Sequence, residues 1–160
     1  DGQDADTVEY NNIVQMVSQM WAKSFPRAEW YINGNILPQL YTMALSVGSG
    51  GSAVYLPPRG AAAAPYGTLM GRPVNVIEQA STLGDAGDII LADLSQYYWA
   101  TKGSMESASS IHLKFDYAET ALRWIYRCDG QPMWADSLTP FNDADTSQPK
   151  SPIITLAERA

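Results

Sequence analysis

One cysteine and one histidine in 160 residues leave little material for several kinds of chemistry. Cys128 has no second cysteine to pair with, so no internal disulfide is available and nothing suggests a cross-linked secreted scaffold. Cations are scarce too. Ten Lys and Arg, scattered along the chain, face seventeen Asp and Glu, for a net charge of -7 and a pI near 4.5. A surface that neutralises phosphates needs clustered Lys and Arg, so no sequence-specific nucleic-acid partner is expected. No apolar run approaches the roughly 18 residues that suggest a membrane span, and the acidic start DGQDADT is not a signal peptide, so no membrane partner is expected either. A P-loop, a G-x-S-x-G elbow, an H-E-x-x-H pair and a dinucleotide fingerprint are all missing. His112 falls on the polar side of an alternating segment, and Cys128 has only Arg127 beside it to lower its thiol pKa, with no histidine in its sequence context. Neither catalysis nor a cofactor is indicated.

What is present is length enough for one domain with a real core. The stretch from Gly71 to Tyr98, GRPVNVIEQASTLGDAGDIILADLSQYY, organises the rest by joining two apolar runs through small and acidic residues. Pro73 to Ile77 is β-branched, with proline at its start, and predicts a strand. Ser81 to Asp88 is too rich in turn formers to extend either neighbour. Ile89 to Ala92, bounded by Asp88 and Asp93, predicts a strand buried on both faces, and the two strands together the middle of a sheet.

Before this stretch, Asp6-Thr7-Val8-Glu9 resembles a capping box. Tyr10, Ile13, Val14, Val17, Met20 and Trp21 then form a helical stripe ending near Lys23. Glu29 to Asn33 has strand composition. Asn35 is a plausible N-cap for a second helix with the stripe Leu37, Leu40, Tyr41, Ala44 and Leu45. Ser46 to Gly67, dense in Gly, Pro and Ala, predicts an exposed loop longer than the roughly 12 to 15 residues usual in compact domains, hence either functional or partly disordered. After Asp93, the residues 94–100 are β-prone and Lys102-Gly103 turns the chain. Two strands are expected next, one alternating through Ile111, Leu113 and Phe115, the other running from Ala118 to Arg127 into a Cys128-Asp129-Gly130 turn. Ser151 to Leu156 predicts a short edge strand. The fold class is α+β, with a mixed or antiparallel central sheet flanked by helices.

Asp85, Asp88 and Asp93 could ligate a hard cation, but their spacing fits no EF-hand pattern and Asp beside Gly is ordinary turn chemistry. With Glu78 they could also supply the carboxylate pair of a small acidic hydrolase, the alternative from another function class. Five Trp and nine Tyr suit surfaces that a partner covers. Trp30, Tyr41 and Trp124 are assigned to the core, and Tyr55, Tyr66 and Trp134 to loops as interface candidates.

The segments G-R-P-V and G-D-I-I-L-A-D-L-S-Q-Y-Y, followed in order by F-D-Y-A-E-T-A-L-R-W-I-Y-R-C-D-G-Q-P and S-P-I-I-T-L-A, resemble the C-terminal half of tailed-bacteriophage major capsid proteins. These have the Hong Kong 97-type fold, shared with encapsulin shells. The resemblance runs from about Trp30 onward and implies a structural subunit whose partners are copies of itself. It implies a virion location and assembly in the bacterial cytoplasm. Gly71, Pro73, Gly87, Asp88, Asp93, Tyr97, Arg127, Asp129 and Gly130 match the family pattern, with implied roles in turn geometry and sheet packing. By the same likeness, 1–105 is an axial-type domain, its loop 46–67 directed to a symmetry axis, and 106–160 holds returning peripheral-type strands and a tail. The family's N-terminal arm, extended loop and spine helix are not seen before Asp1, so the sequence reads as a truncated piece, expected to be monomeric at micromolar concentration or at most to form weak five- or six-membered rings when concentrated. An encapsulin-like compartment is the second alternative.

Overall fold

The structure, a computed structural model, describes residues 4–47, 50–53, 55–56, 67–141 and 148–159. It divides into two compact units, Asp1–Ser95 with Asp136–Ala160, and Gln96–Ala135. In chain order the first unit holds α1 (Tyr10–Gln19), β1 (Glu29–Ile32), α2 (Leu37–Thr42), β2 (Ala44–Val47), β3 (Gly50–Ala53), β4 (Tyr55–Leu56), β5 (Thr68–Leu69), β6 (Arg72–Val76) and β7 (Ile89–Ala92). The second holds β8 (Tyr97–Thr101), β9 (Glu106–Ser110), β10 (Ala121–Ile125) and β11 (Cys128–Pro132), and β12 (Ile153–Thr155) returns to the first.

Six strands form a mixed sheet in the order β12-β7-β1-β6-β5-β4. Trp30 of β1 lies between Val74 of the parallel β6 and Leu91 of the antiparallel β7. The two strands predicted around the acidic loop are therefore real but not adjacent, because β1 separates them. On one face Trp30, Ile32, Ile89 and Leu91 are fully buried with Ile13 of α1 and Leu40 of α2, and the Trp30 Nε1–H donates to the Leu69 carbonyl at 2.9 Å. The other face is polar. Tyr31 opposite Ile90 is half-buried, and Glu29 accepts from Tyr31 at 3.3 Å and from Asn75 at 2.7 Å. Proximity to Glu29 and burial, burial foremost, raise the Tyr31 hydroxyl above its ordinary pKa. So β7 is covered on one face, not two: Ile90 is only half-buried, and Val76, at the end of β6, is exposed.

Helix α1 starts later than the sequence suggests. Asp6 takes a left-handed backbone (φ 54°), and the box that forms is Glu9 with Asn12, whose Oδ1 accepts from the Glu9 N–H at 2.8 Å. That start rotates the buried stripe to Ile13, Met16 and Met20 and leaves Val14 exposed. Helix α2 ends at Thr42, whose hydroxyl donates back to the Pro38 and Gln39 carbonyls. Ala44 and Leu45 instead pair with Ala53 and Ser52 in the β2–β3 hairpin, so the described part of the predicted loop is strand. Residues 57–66 lie outside the described residues. Tyr41, assigned to the core, is exposed.

Gly71 has a turn role. Met70 (φ 51°) and Gly71 (φ 75°) form a two-residue connection between β5 and β6, both left-handed, as the tight hairpin turn that matches strand twist requires.

Candidate assembly surface

The unit from Gln96 to Ala135 is a β-ribbon. β8 pairs antiparallel with β11, Tyr97 opposite Pro132 through Thr101 opposite Cys128, and β9 pairs antiparallel with β10, Glu106 opposite Ile125 through Ser110 opposite Ala121. Lys102–Met105 on one strand are set against only Tyr126 and Arg127 on the other, so the ribbon is offset there. Lys102-Gly103 therefore interrupts the strand without reversing it. Gly130 lies inside β11 and not in a turn: a Cβ there would fall 2.5 Å from Cε1 of Tyr97, whose ring lies against the bare backbone. The reversal is at the tip, 111–120, around a single 3-10 turn (Phe115–Tyr117) and a left-handed Ala118. The predicted alternating strand of Ile111, Leu113 and Phe115 is this tip, while the Ser- and Ala-rich run before it makes β9. Ala121 to Ile125 is strand, as expected.

None of these forty residues is buried. Among the described residues, thirteen of the eighteen exposed large hydrophobics lie on this ribbon, including Trp99 (63%), Leu113 (76%), Phe115 (75%), Tyr117 (78%) and Trp124 (62%). Trp124, expected in the core, is exposed on this two-stranded ribbon. Charge is partitioned as well. The ribbon carries four basic and four acidic residues, so the whole net charge of -7 belongs to the other unit. Two-stranded ribbons are at best marginally stable in water.

The acidic candidates are placed differently. Asp88 and Asp93 flank β7 and are both fully buried. Asp88 receives the Arg159 guanidinium at both oxygens and the Gly84 N–H at 3.1 Å. Arg159 also donates from Nε to the Thr7 carbonyl at 2.6 Å, and its backbone bonds to Gly84 and Asp6, so this one residue fastens the two ends of the described chain to the 84–88 loop. Asp93 accepts from Arg27 at 3.0 Å and from the Ser95 hydroxyl and N–H at 2.6 and 3.1 Å. Burial pushes the Asp93 carboxyl up, but the bonds from Ser95 and Arg27, with the buried Ser24 hydroxyl nearby, outweigh it and hold the pKa below its ordinary value. Asp85 accepts from the Thr82 hydroxyl at 2.5 Å, and Glu78 is exposed in the turn after β6. No group of three His, Cys, Asp or Glu that could hold a metal occurs among the described residues. Each buried carboxylate is instead matched by its own arginine. No described helix is long and apolar enough to cross a membrane.

Of the remaining candidates, Pro73 sits in β6 and Gly87 is left-handed (φ 84°) in the acidic loop. Arg127 approaches Glu106 at 3.7 Å on the ribbon surface, beside Asp129. Trp134 is on the ribbon, its Nε1–H donating to Gln96 Oε1 at 3.2 Å. Tyr55 pairs through its backbone with Leu69, and Tyr66 lies outside the described residues. Sequence reasoning missed Arg27 and Arg159, which no local spacing connects to their carboxylates. It also missed the ribbon as a surface, although the neutral charge and aromatic density of 96–135 could have signalled it.

A family model described as the phage capsid family matches residues 1–143. Among solved structures, a chain from the capsid of an empty GTA particle computed with C5 symmetry is similar, with a TM-score of 0.56 at 16% identity. The match covers 76% of this chain and 40% of that one, so the chain spans less than half the length of that relative. None of the curated proteins matches in sequence.

Proposed function

Because the chain belongs to the phage capsid family, we infer that it is a structural subunit of a bacteriophage or prophage shell, active through assembly with copies of itself. The observation that carries this reading is the ribbon: forty residues, none buried, with no net charge and most of the exposed large hydrophobics among the described residues. A monomer gains nothing from such an element, whereas a subunit that must join several neighbours needs apolar surface that does not repel its copies. In this reading 1–105 is axial-type and 106–160 peripheral-type, the protein resides in the virion shell after assembly in the bacterial cytoplasm, and it takes no cofactor. Gly71, Pro73, Gly87, Asp88, Asp93, Tyr97, Arg127, Asp129 and Gly130 keep turns and sheet in shape for assembly, and catalyse nothing.

The test is imaging, with peptide mass analysis, of particles from cells that express the protein in its native genetic context. Peptides of this sequence as the major component of closed shells are expected. Their presence only in soluble, non-particulate material would refute the reading.

A further inference from the structure

Among the described residues an Asp or Asn stands directly before glycine at Asn33-Gly34 and at Asp129-Gly130, and the fold treats the two pairs oppositely. Asn33 is tied at both ends of its amide: Oδ1 accepts from the Asn35 N–H at 3.0 Å, and Nδ2 donates to the Ala80 carbonyl at 2.8 Å. Asp129 is exposed, forms no ion pair among the described residues, and accepts at Oδ1 from the N–H of Gly130, its own neighbour, at 2.8 Å. The ladder explains why that N–H is available. The Lys102 N–H donates to the Arg127 carbonyl at 3.0 Å and the Met133 N–H to that of Gln96 at 2.9 Å, so these are hydrogen-bonded pairs. Such pairs alternate along an antiparallel ladder, which makes Asp129–Ala100 and Gln131–Tyr98 hydrogen-bonded and Gly130–Trp99 not. Pro132, with no N–H to give, falls in the same kind of position as Gly130. The Gly130 N–H therefore points away from β8 to the outer edge of β11, where no third strand pairs among the described residues. Glycine leaves this nitrogen without a neighbouring Cβ, and because successive side chains alternate, the Tyr97 ring against Gly130 lies on the face opposite the Asp129 carboxyl.

We propose that Asp129-Gly130 is a site of spontaneous isoaspartate formation. The Gly130 nitrogen bonds to Cγ of the protonated Asp129 carboxyl, the Cγ–OH bond breaks, and the hydroxyl leaves with the amide proton as water, closing a five-membered succinimide. Holding nitrogen and carboxyl in contact supplies the proximity that this ring closure needs. Water then adds to one of the two ring carbonyls. Breaking the new Cγ–N bond restores aspartate, whereas breaking the original backbone C–N bond leaves the chain running through Cγ and the former backbone carbonyl as a free carboxylate. One water leaves and one returns, and nothing is oxidised. The product carries an extra methylene in the backbone of β11, which puts the Asp129–Ala100 and Gln131–Tyr98 pairs out of register with each other and draws Gly130 away from Tyr97. The stem of the ribbon therefore loosens with age. This inference stands on the ribbon's own geometry and not on the shell-subunit reading.

The experiment holds the full chain at neutral pH for several weeks beside two synthetic peptides, one spanning Ile125 to Trp134 and one spanning Trp30 to Leu37. Isoaspartate is read by electron-transfer fragmentation, which distinguishes it from aspartate, and by the methyl label that an isoaspartyl carboxyl methyltransferase transfers from S-adenosylmethionine. Because the Gly130 N–H has no ladder bond to break, Asp129 in the chain is expected to convert within about tenfold of its peptide, whereas Asn33 should lag its own peptide by about a hundredfold or more. Asp129→Glu, which would need a six-membered ring, should lose the signal at this position while circular dichroism stays unchanged, since the side chain is exposed. Asp129→Asn should convert faster than wild type, because an amide expels ammonia without first being protonated to an acid. The proposal is overturned by a lag beyond tenfold at Asp129, by an Asn33 that keeps pace with its peptide as well as Asp129 does, or by a label that persists at this position in Asp129→Glu. None of these results bears on particle formation, so the shell reading stands or falls separately in the imaging experiment.

Discussion

Replacing Arg159 by Met removes the side chain that closes the first unit, and the cost follows from what it leaves behind. The guanidinium is 8% exposed and its partner Asp88 not at all. Without it the carboxylate keeps one bond, from the Gly84 N–H, and the Thr7 carbonyl loses its 2.6 Å donor. Breaking one side of a buried ion pair costs about 3–5 kcal/mol, because a charge is stranded in a low-dielectric site. At roughly 2–4 °C per kcal/mol for a chain of this size, melting should fall by about 10 °C. Asp88→Asn should cost a similar amount by stranding Arg159. The double variant should lose less than the sum of the two by about 2–3 kcal/mol, since the second substitution removes the stranded charge. Urea titration at pH 7, followed by circular dichroism, measures all three. A loss below about 1 kcal/mol for Arg159→Met, or strict additivity, would refute the reading of this pair as the clasp of the fold.

Gly71→Ala should cost about 1 kcal/mol in the same assay, from left-handed strain alone, because a Cβ there meets nothing. Gly84→Ala should cost more, because its Cβ would also run into the Asp6 side chain. The lowered pKa of Asp93 makes it stabilising above its unfolded-state pKa, near 4, with that contribution lost as pH falls through the still lower folded value; Asp93→Asn should flatten this acid limb of the stability curve. Millimolar calcium should leave the melting temperature unchanged, and a calcium-dependent rise lost in Asp88→Asn with Asp93→Asn would return these carboxylates to metal binding.

The strands were legible because periodicity and β-branched composition are local. Trp30 in β1, the Ile89–Ala92 run and the Ile153–Thr155 edge strand all stand where pattern placed them. Strand neighbours were not, since order in a sheet is set by long-range pairing. Nothing between Val76 and Ile89 announces that Trp30 will come between their strands. Helix stripes failed by rotation for a related reason: shifting the cap from Asp6 to Glu9 exchanged Val14 for Met16 on the buried face. The buried carboxylates were visible as residues, but Arg159 lies 71 positions from Asp88 and Arg27 66 from Asp93, so each ion pair had to await the fold.

Trp124 and Tyr41 show where composition misleads in the opposite direction. Both were assigned inward because large aromatic side chains fill cores, yet both are exposed. For Tyr41 the cause is local: Leu40, with Ile36 just before the helix, takes the buried side of a helix only six residues long. For Trp124 it is the architecture. A strand paired on one side only, in a ribbon with no second layer, has no inward direction, so Leu122 and Trp124 on one face and Ile125 on the other all lack a core of their own. Their hydrophobicity is wasted in a monomer and becomes favourable once another surface excludes water from them. The same residues that make the ribbon look like core in the sequence are those that the fold leaves exposed.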